Sequence, residues 1–469
     1  MTDQAATTPA VSARATSFKG QLGWVAYDMA GGPYFNIVKI FVFAPYFARA
    51  IVGDAVRGQS LWAYIEGASG LSIALSSAII GSMADAYGPR KPIMAILSVP
   101  VIAGLLLLWF AAPGTPALPV AITLVIIALT SELSFLCHGS LLMRVAPEDR
   151  VGFLSGLGFS SNYLGTLIIF ISWLALFGMA QVPALGLNRA SAEDVRIICP
   201  MAGLWFAALA LPFFLFTPDE PRKGLSLAAA FPAGLRQLRA TLGQVRKYAN
   251  IMRYLFARML FFDGLVATFT FIGIYATGTF GWTPAEVGLF GLIIFSVIVF
   301  AAFIGGRLDD LFGSKPTILV SICAVALSVA LALSIGQHSL WFFITLDDAA
   351  NAQPLPLVGN LLAGMGFKHL TEQAFILCGT VGGVFMGPAL ASSRTLLARI
   401  APESMMAEFF GLFTLSGKAT SFLAPTAIAL VTQLTGNQRA GVASVLVFLI
   451  VGAVGLMTVR EERSAAIAV

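Results

Sequence analysis

Apolar runs long enough to cross a bilayer recur twelve times in this chain of 469 residues. They lie at roughly 21–48, 61–84, 92–112, 118–143, 151–179, 198–217, 255–280, 286–308, 316–336, 371–397, 405–433 and 438–459. A spanning helix needs about 20 mostly apolar residues, and in lipid it must satisfy its own backbone. The composition fits: 58% of residues are hydrophobic and 11% charged, where soluble domains carry roughly 25% charge. A soluble enzyme and a disordered chain are both excluded. The expected fold is an all-α membrane protein with twelve transmembrane helices.

The basic residues orient it. With loops assigned alternately to the two sides, 19 of the 28 Lys plus Arg fall on the side that carries both termini and six on the other. Lys39, Arg258 and Lys418 remain in the bilayer. Basic loops stay cytoplasmic, so both termini are expected inside, as in a multi-pass protein of a bacterial plasma membrane. The net charge of +5 then belongs to the inner leaflet and gives no reason to invoke nucleic acid.

The expected organisation is a cytoplasmic tail (1–20), a six-helix bundle (21–217), a cytoplasmic linker (218–253), a second six-helix bundle (254–460) and a tail (461–469). In the linker, Leu235, Leu238, Leu242 and Val245 alternate with Arg236, Arg239, Arg246 and Lys247. That pattern predicts a basic amphipathic helix at the inner membrane surface, serving as a structural linker with a solvated basic face and touching anionic lipid only incidentally. The loop 337–370 suggests no role.

Cys137, Cys199, Cys323 and Cys378 lie in or beside apolar runs without CxxC spacing. They read as packed free thiols, and no metal site or cofactor is expected. No P-loop is present to drive a pump with ATP, and no motif for enzyme chemistry is supported by its context.

The bundles repeat each other. Gly81, Asp85, Gly88 and Arg90 match Gly306, Asp310, Gly313 and Lys315 at an offset of 225. Arg144-Val-Ala-Pro147-Glu148, with Gly156 further on, matches Arg399-Ile-Ala-Pro402-Glu403 and Gly411 at 255. Tyr27-Asp28 matches Phe262-Asp263 at 235. Two halves of equal topology are expected, related by a pseudo-two-fold along the membrane normal. In the first motif, glycine permits close helix contact, while the acid and base can bridge helices in one state. The eight residues of its two copies are therefore expected to form a conformational latch.

The spacing G-x-x-x-D-x-x-G-x-R/K, present twice, resembles the signature of the major facilitator superfamily. Ser393 to Glu403, Glu408 to Pro425, Tyr27-Asp28, Ser155 to Gly165 and Phe262-Asp263 are similar to the vacuole-effluxer-like branch. The resemblance implies secondary transport by alternating access, and its best-known member exports amino acids from the yeast vacuole in autophagy. Met29-Ala30-Gly31-Gly32-Pro33 and His138-Gly139 depart from the branch on helices that line the expected cavity.

Charges inside the membrane are expensive and mark function by default. Asp28, Lys39, Glu66, Glu132, His138, Asp263, Arg394 and Lys418 are the substrate or coupling candidates. Asp28 and Lys39 are 11 residues apart, close to three α-helical turns, although Gly31-Gly32-Pro33 interrupts the phase. Asp28 and Asp263 occupy matching places, while Glu132 and His138 have no counterparts and suit a proton relay. Lys418 is expected to pair with Asp263 or Asp28, or to meet an anionic group. Acids and a base around one cavity suit a zwitterion. The expected function is a monomeric carrier of a small polar solute, with an amino acid or similar zwitterion foremost, protons as a coupling partner, and efflux by analogy. A drug, sugar or peptidoglycan-fragment carrier is the rival, followed by a non-transporting receptor or scaffold.

Overall fold

Helix accounts for nearly all of the computed structural model, which describes residues 17–461 apart from 54, 179–182, 244–245 and 283. The expected tails therefore fall mostly outside the described residues. Helix α1 (Phe18–Gly32) continues through π-helical turns at Pro33–Val42, a short α segment and further π turns to Ile51. It is followed by α2 (Ala55–Tyr87), α3 (Lys91–Leu107), α4 (Ala117–Ser140), α5 (Val151–Trp173) and α6 (Ile198–Phe216). Next come α7 (Leu227–Gly243), α8 (Ala249–Phe280), α9 (Pro284–Phe312), α10 (Ser314–Leu333) and α11 (Leu370–Ile400). The chain ends in α12 (Met406–Ala419), α13 (Leu423–Thr435), α14 (Gln438–Ala443) and α15 (Val445–Met457).

Among the described residues, ten helical stretches are long and apolar enough to cross a membrane: those of α2 to α6, α8 to α11, and α14 with α15. The two other expected spans are broken helices. α12 stops at Ala419 and α13 starts at Leu423. Pro425 has no N–H for the Ser421 carbonyl, so the ladder cannot run through.

The break in α1 is softer. Pro33 brings no donor to Met29 O, and the helix widens into i→i+5 turns rather than ending. Other helices supply the missing donors. Trp205 Nε1 donates to Met29 O at 3.1 Å, and Asn162 Nδ2 donates to Asp28 O at 2.9 Å. Gly32 is required here, because a Cβ would lie 2.0 Å from the Asn162 carbonyl oxygen. The freed carbonyls are thus covered by side chains of α5 and α6. The wider turns also shift the helix phase, and Lys39 meets Glu66 rather than sharing a face with Asp28.

Extensive helix pairs join the segment before the linker to the segment after it, α5 packing on α9 and α2 on α12, beside equally extensive pairs within the second segment, α11 packing on α9 and α10. α7 packs on α2, with Ala230, Leu238 and Thr241 buried and Arg236 and Arg239 exposed. Gly234 sits so close to Met83 that a Cβ would lie 2.5 Å from its backbone nitrogen. The amphipathic pattern is real, but its buried side is spent on protein rather than on a lipid surface, and Leu235 remains exposed. Val245 and the Leu242 side chain lie outside the described residues. Between α10 and α11, two short antiparallel strands (Ser339–Leu340 and Ile344–Thr345) and two short helices fill the loop.

Trp205→Phe removes the donor to Met29 O without changing the ring packing greatly. It should lower stability by about 1–2 kcal/mol. Thermal unfolding in detergent reads this, and an unchanged melting temperature would show that the carbonyl finds another partner.

Candidate functional site

The two motif copies meet at one end of the bundle. Asp85, at the end of α2, accepts from Ala407 N at 3.1 Å and Glu408 N at 2.7 Å, at the start of α12. Asp310, at the end of α9, accepts from Gly152 N and Phe153 N, both at 2.7 Å, at the start of α5. Each motif acid thus caps a helix on the far side of the linker, where the free N–H groups and the helix dipole favour negative charge. The motif glycines permit the approach. A Cβ on Gly81 would lie 2.3 Å from Ala407 O, and one on Gly306 would lie 2.5 Å from Gly152 O.

The bases differ between copies. Arg90 is buried, pairs with Asp85 and donates to the Ala84 and Gly88 carbonyls. Lys315 does not hold Asp310, which corrects the expected pairing. Its Nζ donates to Met457 O at 2.8 Å and Val459 O at 2.7 Å. Arg399 takes the place beside the acids, 2.8 Å from Asp309, 3.2 Å from Asp310 and 3.1 Å from Glu461. Gly88 and Gly313 both have positive φ, 103° and 95°, and make the turns that glycine allows most readily. Two further acids cap helix starts: Asp219 accepts from Arg90 N and Lys91 N, and Glu461 from Ser314 N and Lys315 N. Neither lies in a motif, so spacing gave no sign of them.

Beyond this closed end lies a cavity of about 420 Å³. α1, α4 and α5 line it from one side, and α8, α9, α11 and α12 from the other. Asp28, Glu132, Arg258 and Arg394 reach it, among eight phenylalanines. Two ion pairs cross between the helix sets. Arg394 Nη1 is 2.9 Å from Asp28 Oδ2, and Lys418 Nζ is 2.7 Å from Glu132 Oε1.

The Asp28–Arg394 pair is fully built. Arg394 also donates to Ser155 Oγ at 3.1 Å and to Ser155 O at 2.8 Å. Its guanidinium lies over Trp24 at 4.7 Å and over Phe159 at 4.6 Å. Gly158 leaves room for it, since a Cβ would sit 2.0 Å from Asp28 Oδ2. A buried pair stays charged only with such geometry, and removing one partner strands the other. Behind Asp28 lies His138, wholly buried, with Nδ1 3.8 Å from Asp28 Oδ1.

The remaining candidates sort as follows. Lys39 and Glu66 pair with each other at 2.8 Å, both on the first helix set. Lys418 pairs with Glu132, not with Asp28 or Asp263. Asp263 forms no ion pair among the described residues, and its Oδ2 is buried without a hydrogen bond. The matching acids are therefore unlike: Asp28 is locked and Asp263 is not. Arg258, left in the bilayer by the loop assignment but not among the candidates, is a cavity residue. It donates to Phe413 O at 2.9 Å and Ser416 Oγ at 3.0 Å, with Phe413 3.4 Å away. Its position, one turn before the repeated Phe262-Asp263, was the signal that could have placed it.

Relatives of the chain are consistent with this geometry. A family model described as vacuole effluxer Atg22 like matches residues 148–468. An uncharacterized MFS-type transporter of Bacillus subtilis, YxiO, is 24% identical over 460 residues, covering 95% of this chain and 96% of that one. Autophagy-related protein 22 of Cryptococcus neoformans is 25% identical over 306 residues, covering 64% of this chain and 50% of the fungal protein. The chain spans about half or less of the fungal relatives' length. Among solved structures, the major facilitator transporter FucP in the outward conformation superposes with a TM-score of 0.67 at 13% identity, covering 94% of this chain and 98% of that one. A bacterial homologue of the iron transporter ferroportin, outward-facing, gives 0.63 at 14%, with the same coverage. These two likenesses show the fold.

Gly158→Ala should force Asp28 and Arg394 apart and destabilise the protein by about 1–3 kcal/mol, as overpacking does. Gly67→Ala, at a position where a Cβ meets nothing within 4 Å, is the control. Equal melting temperatures for the two variants would show that the pair tolerates displacement.

Proposed function

The chain belongs to the vacuole effluxer Atg22-like family of major facilitator transporters, and we propose that it carries an amino acid or a related zwitterion. It is a multi-pass membrane transporter and not an enzyme. The proposed arrangement has twelve spans, with α1 as the first and α12–α13 as the eleventh. They form two halves, 21–217 and 254–460, related by a pseudo-two-fold along the membrane normal. The motif end and both termini are taken as cytoplasmic, in a bacterial inner membrane, from the bias of the basic loops. On that orientation the described state is closed inside and faces outward.

One observation carries the substrate class: two ion pairs of the same polarity join the two halves at one cavity. In Asp28–Arg394 the first half supplies the acid and the second the base. In Glu132–Lys418 the same order holds. A zwitterion offers a carboxylate to the bases and an ammonium to the acids, and so can replace both pairs while they part. The family description as an effluxer supports export, and the proposed coupling ion is the proton. The chain acts as a monomer, with the cavity between its own halves.

Substrate binding and latch opening then alternate. When the cavity pairs are bridged by solute, the capping contacts of Asp85 and Asp310 are the remaining restraint on the inner end. Their release lets the halves rock about the site.

Reconstituted protein should exchange labelled amino acids in counterflow. Glu132→Gln and Lys418→Met should each reduce it at least about tenfold, since each strands a partly buried charge. No exchange of any amino acid removes this substrate class. The eight phenylalanines favour a second reading, an amphipathic drug. Competition by hydrophobic cations, undiminished in the charge variants, would select it. Asp85→Asn should slow exchange about tenfold while leaving solute binding intact, because it weakens an acid-to-helix contact remote from the cavity. Wild-type rates in that variant would refute the latch.

A further inference from the structure

His138 carries an unused acceptor in a place where proteins seldom leave one. The ring is 0% exposed, stacks on Trp24 with centroids 4.4 Å apart, and has Tyr27 at 5.1 Å. Its Nε2 lies 2.9 Å from Trp24 O. A carbonyl only accepts, so Nε2 carries the hydrogen and Nδ1 of the neutral ring carries a lone pair. Trp24 Nε1 donates back to His138 O at 3.1 Å, which holds the ring in place. Nδ1 has no hydrogen-bond partner. What it faces is Asp28 Oδ1, 3.8 Å away. Two acceptors confront each other, and the position between them fits a single proton.

Arg394 explains why that position can stay empty. It holds the other side of Asp28, at 2.9 and 3.3 Å, and neutralises the carboxylate. Arg394 stands on α11, whereas Asp28 and His138 stand on α1 and α4, tied together through Trp24. Separation of the two helix sets therefore draws Arg394 away and leaves Asp28 and His138 together. An uncompensated buried carboxylate is strongly unfavourable, and a proton is the smallest replacement for the lost cation.

We propose that Asp28 and Nδ1 of His138 form a proton-binding dyad whose occupancy alternates with the Asp28–Arg394 ion pair. The proton comes from water entering the cavity and is shared between Asp28 and Nδ1. No other bond changes, and Arg394 remains cationic. The buried group is neutral overall in both states. Other ionisable neighbours do not occupy the position. Tyr27 turns its hydroxyl to Ser98 and Ser134. Cys137 adjoins on the same helix, α6 presents Phe213, and Glu132 is engaged with Lys418. The dyad extends the carrier reading by locating its coupling proton, although its test does not depend on the substrate.

The chain has three histidines, so a His338→Gln, His369→Gln background leaves His138 as the one source of imidazole signal. Solid-state NMR of 15N-histidine protein in lipid bilayers then reads Nδ1 and Nε2 directly. In that background Nδ1 should remain unprotonated from about pH 8 down to about pH 5, with hydrogen on Nε2. Arg394→Met should bring a hydrogen-bonded proton signature onto Nδ1 within that window. Asp28→Asn added to it should abolish that signature. Should Arg394→Met fail to fold, Asp85→Asn with Asp310→Asn, which loosens the inner end while keeping Arg394, should populate the same protonated form. An Nδ1 signal that is the same in all variants overturns the dyad, as does protonated Nδ1 with the Arg394 pair intact. Amino-acid counterflow is measured separately. Its absence would end the zwitterion reading and leave the dyad standing, while an unresponsive Nδ1 would end the dyad alone.

Discussion

Carboxylates set on the free N–H groups of helix starts hold one end of this molecule shut. Asp85 caps α12 and Asp310 caps α5, each from across the linker. Asp219 and Glu461 cap α3 and α10. A helix start in a membrane protein has no water to turn to at depth, so its unpaired donors need acceptors from the protein. Using an acid from the opposite set solves that need and joins the sets at once. The small residues between them, Gly81 against Ala407 and Gly306 against Gly152, let backbones touch, so the acids reach without strain. Directional contacts of this kind break cleanly, unlike a broad apolar seam.

The cavity side of the same interface uses a different chemistry. There the sets are joined by ion pairs between side chains, and its walls mix phenylalanines with aliphatic and small polar residues. The two ends thus respond to different things. Backbone caps are indifferent to solutes, while ion pairs can be exchanged for a charged ligand. The halves differ at the cavity as well as in the motif bases: Asp28 is bound and stacked about, while its counterpart Asp263 has Oδ2 buried without a hydrogen bond. A repeated scaffold with an unrepeated interior is what a carrier needs, because the scaffold must close equally well while the interior tells one ligand from another.

Much of this was legible in the sequence, and the failures have physical causes. The twofold spacing of Gly81, Asp85, Gly88 and Gly306, Asp310, Gly313 identified the closed end, because close packing and helix capping each demand a residue type at a fixed place. The intramembrane charges were found because lipid makes them conspicuous. Their pairings were not. Asp28 and Arg394 are 366 residues apart, and nothing local links them. Lys39 escaped its expected face because Pro33 converted the helix to wider turns, which changes the phase of everything downstream. Lys315 stands in the motif where a base could meet Asp310, but it reaches carbonyls at the end of α15 and just beyond it instead. Asp219 and Glu461 lie in short polar stretches beyond helix ends, where the sequence carries no periodicity to read. The linker pattern announced a helix with one covered face, but not that the helix ending at Tyr87 would cover it, since an amphipathic face does not name its partner.

That partner has a consequence for how the chain is put together. Gln237 of α7 donates to Glu408 at 2.6 Å, while Gly234 lies against α2. The connection between the bundles is therefore a strut wedged beneath the seam, and its length is a structural dimension rather than slack. Two bundles produced as separate polypeptides could find each other through α2, α5, α9 and α12, yet they would meet without this brace. Covalent continuity supplies more than local concentration: it sets α7 between α2 and the start of α12, at the end where the halves are pinned together.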